Sequence, residues 1–247
     1  MRFFILFICF VSLIGACNHN SKSKESKSVK FYFEKASFYK NKGNEIKALE
    51  YLSKIRKKNF YSPYRKKALL MTADIYFEQE KYQQAVQAYK KRLLFSSENQ
   101  AYVLYQLGLS YKKQLPKRAE HDLSLTAPAL STFEKVTALK GDSIYKKKAL
   151  KAKQEILDKK AERELKTALF FKSQGWNEAG LKRIQYFIKH YPNNSLMPKA
   201  LLAGFEMAQK LDQKPEKFKE RLLKEHPQSP EVKSLTKKSF LNRKKLL

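Results

Sequence analysis

The sequence has few cysteines, which can crosslink a small fold, and few glycines and prolines, which interrupt helices. It has two cysteines, seven glycines and eight prolines among 247 residues. Cys9 lies in the N-terminal apolar segment, so removal of that segment would leave Cys17 alone, with no second cysteine for an internal disulfide. The scarcity of helix breakers, together with frequent Ala, Leu, Lys, Glu and Gln, favours an all-helical chain.

The sequence also lacks the motifs of the common catalytic and cofactor sites. It contains no HExxH, GxSxG or P-loop pattern and no Gly-rich dinucleotide motif. No Cys/His cluster has metal-ligand spacing, because the four histidines are scattered at positions 19, 121, 190 and 226. We therefore expect no catalysis, no cofactor and no metal.

Acidic residues are few. Asp and Glu number 23 against 52 Lys and Arg, which gives a net charge of +29. No RNP, zinc-finger or helix-turn-helix pattern accompanies this charge, so nucleic acid is not an expected partner. Anionic headgroups, acidic faces of partner proteins and C-terminal carboxylates suit the charge better. The alternative is a solvated, lysine-rich surface without a specific partner.

The one long apolar run ends at a cysteine. Residues 3–14 are apolar except for one serine, a length too short to span a bilayer but suited to an export signal. The sequence IGAC at 14–17 resembles a bacterial lipobox, which implies cleavage before Cys17 and lipidation of that residue by two or three acyl chains. Asn18, where Asp would retain such a lipoprotein, points to the outer membrane. An ordinary secretory signal that ends near a cysteine is the alternative.

A recurring pattern of small and aromatic residues indicates tetratricopeptide-like repeats. The first helix of each repeat places a small residue three positions before an aromatic one, at Ala36/Tyr39, Ala73/Tyr76, Gly108/Tyr111 and Ala168/Phe171. The second helix places a small residue four positions before a large one, at Ala48/Leu52, Ala85/Tyr89, Ala129/Phe133 and Gly180/Ile184. Ala36 and Ala73 are 37 residues apart, as are Ala48 and Ala85. An irregular helical bundle with coincidental spacing is the alternative.

The third repeat departs from this spacing. Gly108 and Ala129 are 21 residues apart, whereas 12 separate the small residues of the other repeats, so an insertion bounded by Pro116 and Pro128 is predicted. Residues 143–175 contain no breaker until the last position, which predicts one long linking helix or two nearly continuous ones. The sequence thus predicts an all-α fold, a right-handed solenoid of about five tetratricopeptide-like helix pairs with an insertion in the third.

The predicted organisation has five parts. They are a lipoprotein signal peptide (1–16), a lipidated flexible tether (17–28), N-terminal repeats 1–3 (29–140), a long linking helix with C-terminal repeats 4–5 (143–235) and a basic tail (236–247).

Together these features resemble the BamD family, the lipoprotein subunits of the β-barrel assembly machinery of Gram-negative outer membranes. The lipobox, the third-repeat insertion, the long linking helix and the stretch SQGWNEAGLKRIQYFIKHYP at 173–192 carry the resemblance. It implies a non-catalytic scaffold anchored at the periplasmic face of the outer membrane. The implied partners are a POTRA-containing barrel insertase, the C-terminal segments of unfolded outer-membrane proteins and other accessory lipoproteins.

The resemblance assigns client binding to the N-terminal repeats, whose first helices line the concave face. Positions 5, 9 and 12 of these helices are the groove candidates: Phe33, Ser37, Lys40, Leu70, Asp74, Phe77, Tyr105, Leu109 and Lys112. Aromatic rings beside ammonium groups suit an extended segment that ends in an aromatic residue with a free carboxylate. Packing against the neighbouring repeat is the alternative for each residue.

The resemblance assigns insertase docking to the C-terminal repeats. Arg183 follows the Gly-Trp turn, and its guanidinium suits a bidentate carboxylate partner. Trp176 is a second candidate anchor. The alternatives are an exposed arginine without a partner and a tryptophan packed beneath the turn.

Two other functions suit a lipidated repeat protein. One is a pilot or scaffold for a secretin or type IV pilus, and the other is an organiser that links the cell wall to the division machinery. The organiser would require a coiled-coil or trimerising segment, which the sequence lacks. The third-repeat insertion and the extent of the resemblance favour barrel assembly.

Overall fold

The computed structural model describes residues 28–57, 62–95, 97–116, 118, 122–141 and 143–235. Within these ranges the chain forms ten α-helices, followed by a short helical segment at 230–235, and no strand. The helices are α1 Val29–Asn41, α2 Glu45–Lys57, α3 Pro63–Glu78, α4 Tyr82–Phe95, α5 Gln100–Lys113, α6 Thr126–Ala138, α7 Ile144–Ser173, α8 Asn177–His190, α9 Met197–Lys210 and α10 Glu216–Glu225.

A residue in the left-handed conformation lies at four of the turns between paired helices. Gly43, Glu80, Gly175 and Asp212 have φ of 71°, 58°, 79° and 54°. This conformation ends a helix and reverses the chain within a few residues. Gly43 and Glu80 are 37 residues apart, and so are Gly175 and Asp212. The 37-residue interval between the small residues of successive repeats therefore also separates the turns.

The contacts between helices follow the order expected of a solenoid. Each helix packs against the next along the chain, and first helices of adjacent repeats also meet, as α1 with α3, α5 with α7 and α7 with α9. Successive second helices border open grooves, of about 510 Å³ at α4 and α6 and about 660 Å³ at α8 and α10. The first helices therefore form the inner surface, and the second helices form the outer one.

Glycines allow the paired helices to approach closely. A Cβ added to Gly108 would lie 2.6 Å from Cε1 of Phe133, and one added to Gly204 would lie 2.8 Å from Cδ1 of Phe218. An aromatic ring thus occupies the space that a side chain would need. Gly204 and Phe218 also show that α9 and α10 form a fifth helix pair. The predicted all-α tetratricopeptide solenoid is confirmed.

The third and fourth repeats differ from the others in length. Only residues 79–81 separate α3 from α4, whereas residues 114–125 separate α5 from α6. Helix α7 then runs through thirty residues without a break. Its N-terminal half joins the core around Phe133, and its C-terminal half joins the core of the last two repeats. One helix therefore belongs to two successive hydrophobic cores.

Several predicted segments lie outside the described residues. They are the signal peptide (1–16), Cys17, most of the tether and the basic tail (236–247). The first helix begins at Val29, and its N-cap residue Ser28 accepts a hydrogen bond at Oγ from the backbone N–H of Phe31 at 3.2 Å. Among the residues described, no helix combines the length and the apolar composition needed to cross a membrane.

Candidate protein-docking surfaces

Two of the aromatic groove candidates, Phe33 and Tyr105, lie on first helices and contact the next repeat. Phe33 of α1 packs against Tyr64 of α3, with ring centroids 5.5 Å apart. Tyr105 of α5 lies between Phe133 and Tyr145, at centroid distances of 6.1 and 5.6 Å. Phe33 and Tyr105 are both half-buried, so each ring packs between repeats and still presents part of its surface on the inner face.

The remaining apolar candidates also have packing contacts. Leu70 and Phe77 of α3 are half-buried against the core of the second repeat, and Phe77 contacts the Tyr82 ring at 5.4 Å. Leu109 packs against the core around Phe133. Ser37 donates its hydroxyl to the backbone carbonyl four residues earlier, at 3.0 Å. These contacts fix the side chains and leave only part of each available to a ligand.

The two groove lysines are held by carboxylates of the following repeat. Nζ of Lys40 on α1 lies 3.0 Å from Oε1 of Glu78 on α3. Lys112 on α5 pairs in the same way with Glu155 on α7. The lysine side chains are about one quarter exposed, at 27% and 26%. The inner surface thus carries ammonium groups that are fixed in position and partly neutralised.

A third pair of this kind was not predicted. Lys172 on α7 pairs with Glu206 on α9. Each of the three lysines lies four residues after the small residue of its first helix, in the pairs Ala36/Lys40, Gly108/Lys112 and Ala168/Lys172. The sequence therefore held the signal for Lys172, and we extend the inner lysine row to the fourth repeat.

Asp74 of α3, which is one of the groove candidates, joins the second repeat to the third. Its Oδ1 accepts hydrogen bonds from the hydroxyls of Tyr89 on α4, at 2.7 Å, and Tyr102 on α5, at 2.9 Å. Burial raises the pKa of the Asp74 carboxyl above its ordinary value, and the two tyrosine hydrogen bonds oppose that shift. Burial also raises the pKa of Tyr89, and it raises the pKa of Tyr102 to about 12. Asp74 is therefore a structural acceptor between repeats.

An exposed aromatic cluster lies at the turn between α7 and α8. Trp176 is 57% exposed, and its ring centroid lies 6.3 Å from that of Phe170 and 5.9 Å from that of Phe171. Phe170 is itself 54% exposed. Sequence reasoning selected Trp176 and missed Phe170, although the Phe-Phe pair before the Gly-Trp turn was a visible signal. Large exposed aromatic side chains of this kind commonly anchor protein interfaces.

Arg183 of α8 follows Trp176 by seven residues, which is about two helical turns. Its Nη1 lies 3.2 Å from Oε2 of Glu164 on α7, and its side chain is 48% exposed. Arg183, Glu164, Lys160 and Arg163 all line a polar cavity of about 420 Å³. The exposed part of the guanidinium leaves N–H groups for a second carboxylate.

These features define a tetratricopeptide-type repeat protein with an inner surface of aromatic and lysine side chains. In the parts of the chain that the structure describes, no three His, Cys, Asp or Glu side chains are grouped so as to hold a metal ion. The chain belongs to the YfiO family of outer membrane lipoproteins, whose family model matches residues 25–223. No curated protein gives a significant sequence match.

Several solved structures are similar to this chain at low sequence identity. A tetratricopeptide repeat protein from Parabacteroides merdae is 16% identical, with a TM-score of 0.40 and 79% of both chains covered. YrrB, described as a TPR protein with an unusual peptide-binding site, is 14% identical, with a TM-score of 0.36 and coverage of 85% of this chain and 92% of YrrB. PilW, described as a type IV pilus biogenesis factor, is 15% identical, with a TM-score of 0.35 and coverage of 84% and 98%.

Proposed function

We propose that this protein is a non-catalytic scaffold of the machinery that assembles β-barrel proteins in the outer membrane. It is anchored through lipidated Cys17 at the periplasmic face, docks the POTRA domains of the barrel insertase and receives the C-terminal segments of unfolded outer-membrane proteins. The observation that carries the proposal is the match to the outer membrane lipoprotein family over residues 25–223, which are 199 of the 247 residues.

Insertase docking uses the aromatic–arginine surface, which consists of Phe170, Trp176 and Arg183. All three side chains are about half exposed. Phe170 lies on α7, Arg183 lies on α8 and Trp176 is the residue just before α8, so the surface rests on the paired helices and the short turn between them. Aromatic rings beside a half-exposed guanidinium can bury apolar area and pair with a carboxylate of the partner.

Client binding uses the inner surface of the first three repeats. Lys40 and Lys112 pair with Glu78 and Glu155, and ion pairs at such partly exposed positions contribute little to stability. The free carboxylate at the end of a client segment can therefore replace either glutamate at a lysine. Phe33, Phe77 and Tyr105 offer ring surface for the client's terminal aromatic residue, and all three are half-buried.

The proposal is tested by purification from native membranes in mild detergent through a C-terminal tag, followed by mass spectrometry. We expect a POTRA-containing barrel protein in near-equal amount, together with accessory lipoproteins in smaller amount. Recovery of a secretin or of pilus components without such a barrel protein would contradict the proposal. The pilot function would then replace it, and the fold and the family would be unaffected.

A further inference from the structure

Helix α1 and the residue that caps its C-terminus carry an alternating row of aromatic and lysine side chains on one face, which we call the α1 outer stripe. It consists of Phe31, Lys35, Phe38 and Lys42, spaced four, three and four residues apart as on one side of a helix. Nζ of Lys35 lies 5.9 Å from the ring centroid of Phe31 and 5.8 Å from that of Phe38. Nζ of Lys42 lies 5.5 Å from the Phe38 centroid. Each neighbouring pair in the stripe is thus in contact.

The stripe lies away from the core of the first repeat. The opposite face of α1 presents Ala36, which is fully buried, and Phe33 and Tyr39, which pack against the same core. Phe38 is 51% exposed, and Ile46, at the start of α2 beyond the same turn, is 81% exposed. The end of the first helix pair therefore presents a large apolar side chain on each side of the turn.

The charge around the stripe is positive. Lys47 adds a further ammonium group at the turn, 5.2 Å from the Tyr39 ring. The acid on α1, Glu34, lies 3.8 Å from Lys30 and is offset by it. Lysines alternating with exposed aromatic and aliphatic side chains are typical of helices that lie at a membrane surface, where rings enter the headgroup region and ammonium groups meet lipid phosphates.

We infer that the α1 outer stripe, with Ile46, docks on a phospholipid surface that contains anionic headgroups. The inference rests on the proposed anchor at Cys17. Residues 18–28 are eleven residues, which span at most about 40 Å, and α1 with thirteen residues is about 20 Å long. The whole stripe is therefore within reach of the membrane that holds the anchor. Docking would fix the orientation of the solenoid, which a lipid anchor alone leaves free.

The test places an indole on the stripe of the full-length lipidated protein in vesicles of phosphatidylglycerol and brominated phosphatidylcholine. The single native tryptophan is removed by Trp176→Phe, and Phe38→Trp supplies the probe. Leu94→Trp in the same background is the reference, because Leu94 on α4 is 84% exposed and lies outside the stripe. We expect brominated lipid to quench the stripe probe at least about threefold more than the reference probe.

Charge variants separate docking from the anchor. Lys35→Glu with Lys42→Glu should reduce quenching of the stripe probe to the reference level, whereas Lys91→Glu with Lys189→Glu, two exposed lysines elsewhere, should not. Equal effects of the two pairs would overturn the inference. The inference would also be overturned if the emission of the stripe probe shifted with protein concentration but was not quenched by brominated lipid. That result would indicate that a second copy of the protein, and not lipid, covers the stripe.

Flotation of the same vesicles distinguishes the possible failures. A protein that floats with the vesicles but shows no quenching of the stripe probe refutes the docking surface and leaves the anchor and the assembly function intact. A protein that does not float refutes the anchor and, with it, the docking surface. Co-purification of the insertase is measured separately and depends on neither result.

Discussion

Lys40 and Glu78 join the first helices of the first two repeats, with Nζ 3.0 Å from Oε1. Lys112 and Glu155 repeat this relationship between the third repeat and α7. The pairs have two opposite effects on the inner surface, because each glutamate positions its lysine and also competes with an incoming carboxylate. The balance between these effects can be measured.

We expect Glu78→Gln with Glu155→Gln to raise the affinity for a client peptide that ends in phenylalanine with a free carboxylate. Removing a competing charge from a partly exposed pair corresponds to a gain of about threefold to fivefold. Lys40→Glu with Lys112→Glu should lower the affinity at least about tenfold. Fluorescence anisotropy of a labelled peptide measures both changes.

The controls for this prediction use charge and peptide chemistry. Lys54→Glu changes a lysine on α2 that pairs with Glu50 within its own helix, and it should leave the affinity unchanged. A peptide with an amidated C-terminus should bind weakly, and its affinity should be the same for the wild type and all variants. If the free-acid peptide binds equally to all variants, the inner surface is not the client site.

Close packing at Gly108 gives a second prediction. A methyl group there would lie 2.6 Å from the Phe133 ring, so Gly108→Ala should lower the free energy of unfolding by about 1–3 kcal/mol. In the Phe133→Leu background the added methyl has room, so the same change should cost much less. Urea denaturation of the four proteins measures the coupling. If the losses in unfolding free energy from the two substitutions simply add, the paired helices accommodate the methyl group independently of the Phe133 ring.

The spacing of small residues predicted the helix pairs because each pair needs one close crossing. It did not reveal the fifth pair in the same register, since Gly204 and Phe218 are 14 residues apart, whereas Ala36 and Leu52 are 16 apart. Five residues separate α9 from α10, whereas three separate α1 from α2, and Phe218 lies in the first turn of α10, so a fixed interval misses this contact. A glycine 36 residues after Ala168 was nevertheless visible in the sequence.

The partners of the site residues could not be predicted in the same way. Glu78 lies five residues after the small residue of its helix, whereas Glu206 lies two after Gly204. These positions follow from the angles between neighbouring first helices, which no interval within one repeat encodes. The candidate lysines occupy a repeating position and were found in part, but their internal ion pairs became visible only in the folded chain.

Asp74 predicts a pH dependence of stability. Its folded-state pKa is raised above the ordinary value of 3.8, so the fold favours the protonated form. The stability that this carboxyl contributes is therefore present at low pH and is lost as the pH rises through the folded-state pKa. Asp74→Asn keeps an acceptor for Tyr89 and Tyr102 and does not titrate.

We expect the unfolding free energy of the wild type, relative to Asp74→Asn, to fall as the pH rises above 3.8, the ordinary pKa of an Asp carboxyl. Tyr102→Phe removes a hydrogen bond to the carboxylate and should steepen this fall. Thermal or urea denaturation across the pH range measures the difference, in which contributions common to both proteins cancel. A difference that is constant with pH would mean that Asp74 does not titrate differently in the folded chain.

Lipidation at Cys17 gives a prediction with an internal control. Cys17→Ala removes the acceptor thiol, so we expect loss of acyl labelling and release of the protein from washed membranes, since the acyl chains supply most of the membrane affinity. Cys9→Ala changes the other cysteine, which lies in the predicted signal peptide, and should be processed and labelled normally. Equal labelling of both variants would place the lipid elsewhere.

Arg183 is the most specific prediction for insertase docking, and its pair with Glu164 allows a decisive design. Arg183→Glu should reduce co-purification of the insertase at least about tenfold, because it places a like charge against the expected carboxylate. The same loss would follow if the change only broke the internal pair. Arg183→Glu with Glu164→Arg restores an internal pair in the reversed sense and separates the two explanations.

If Arg183 contacts the insertase directly, the reversed pair should recover as little insertase as the single variant. Recovery to the wild-type level would show that Arg183 acts through Glu164 on the packing of α7 and α8, and it would remove Arg183 from the aromatic–arginine surface. Arg221→Glu is the matched control, because Arg221 pairs with Glu225 on α10 at 2.8 Å and lies outside that surface. The Arg221→Glu variant should recover as much insertase as the wild type does, since the surface around Trp176 is intact.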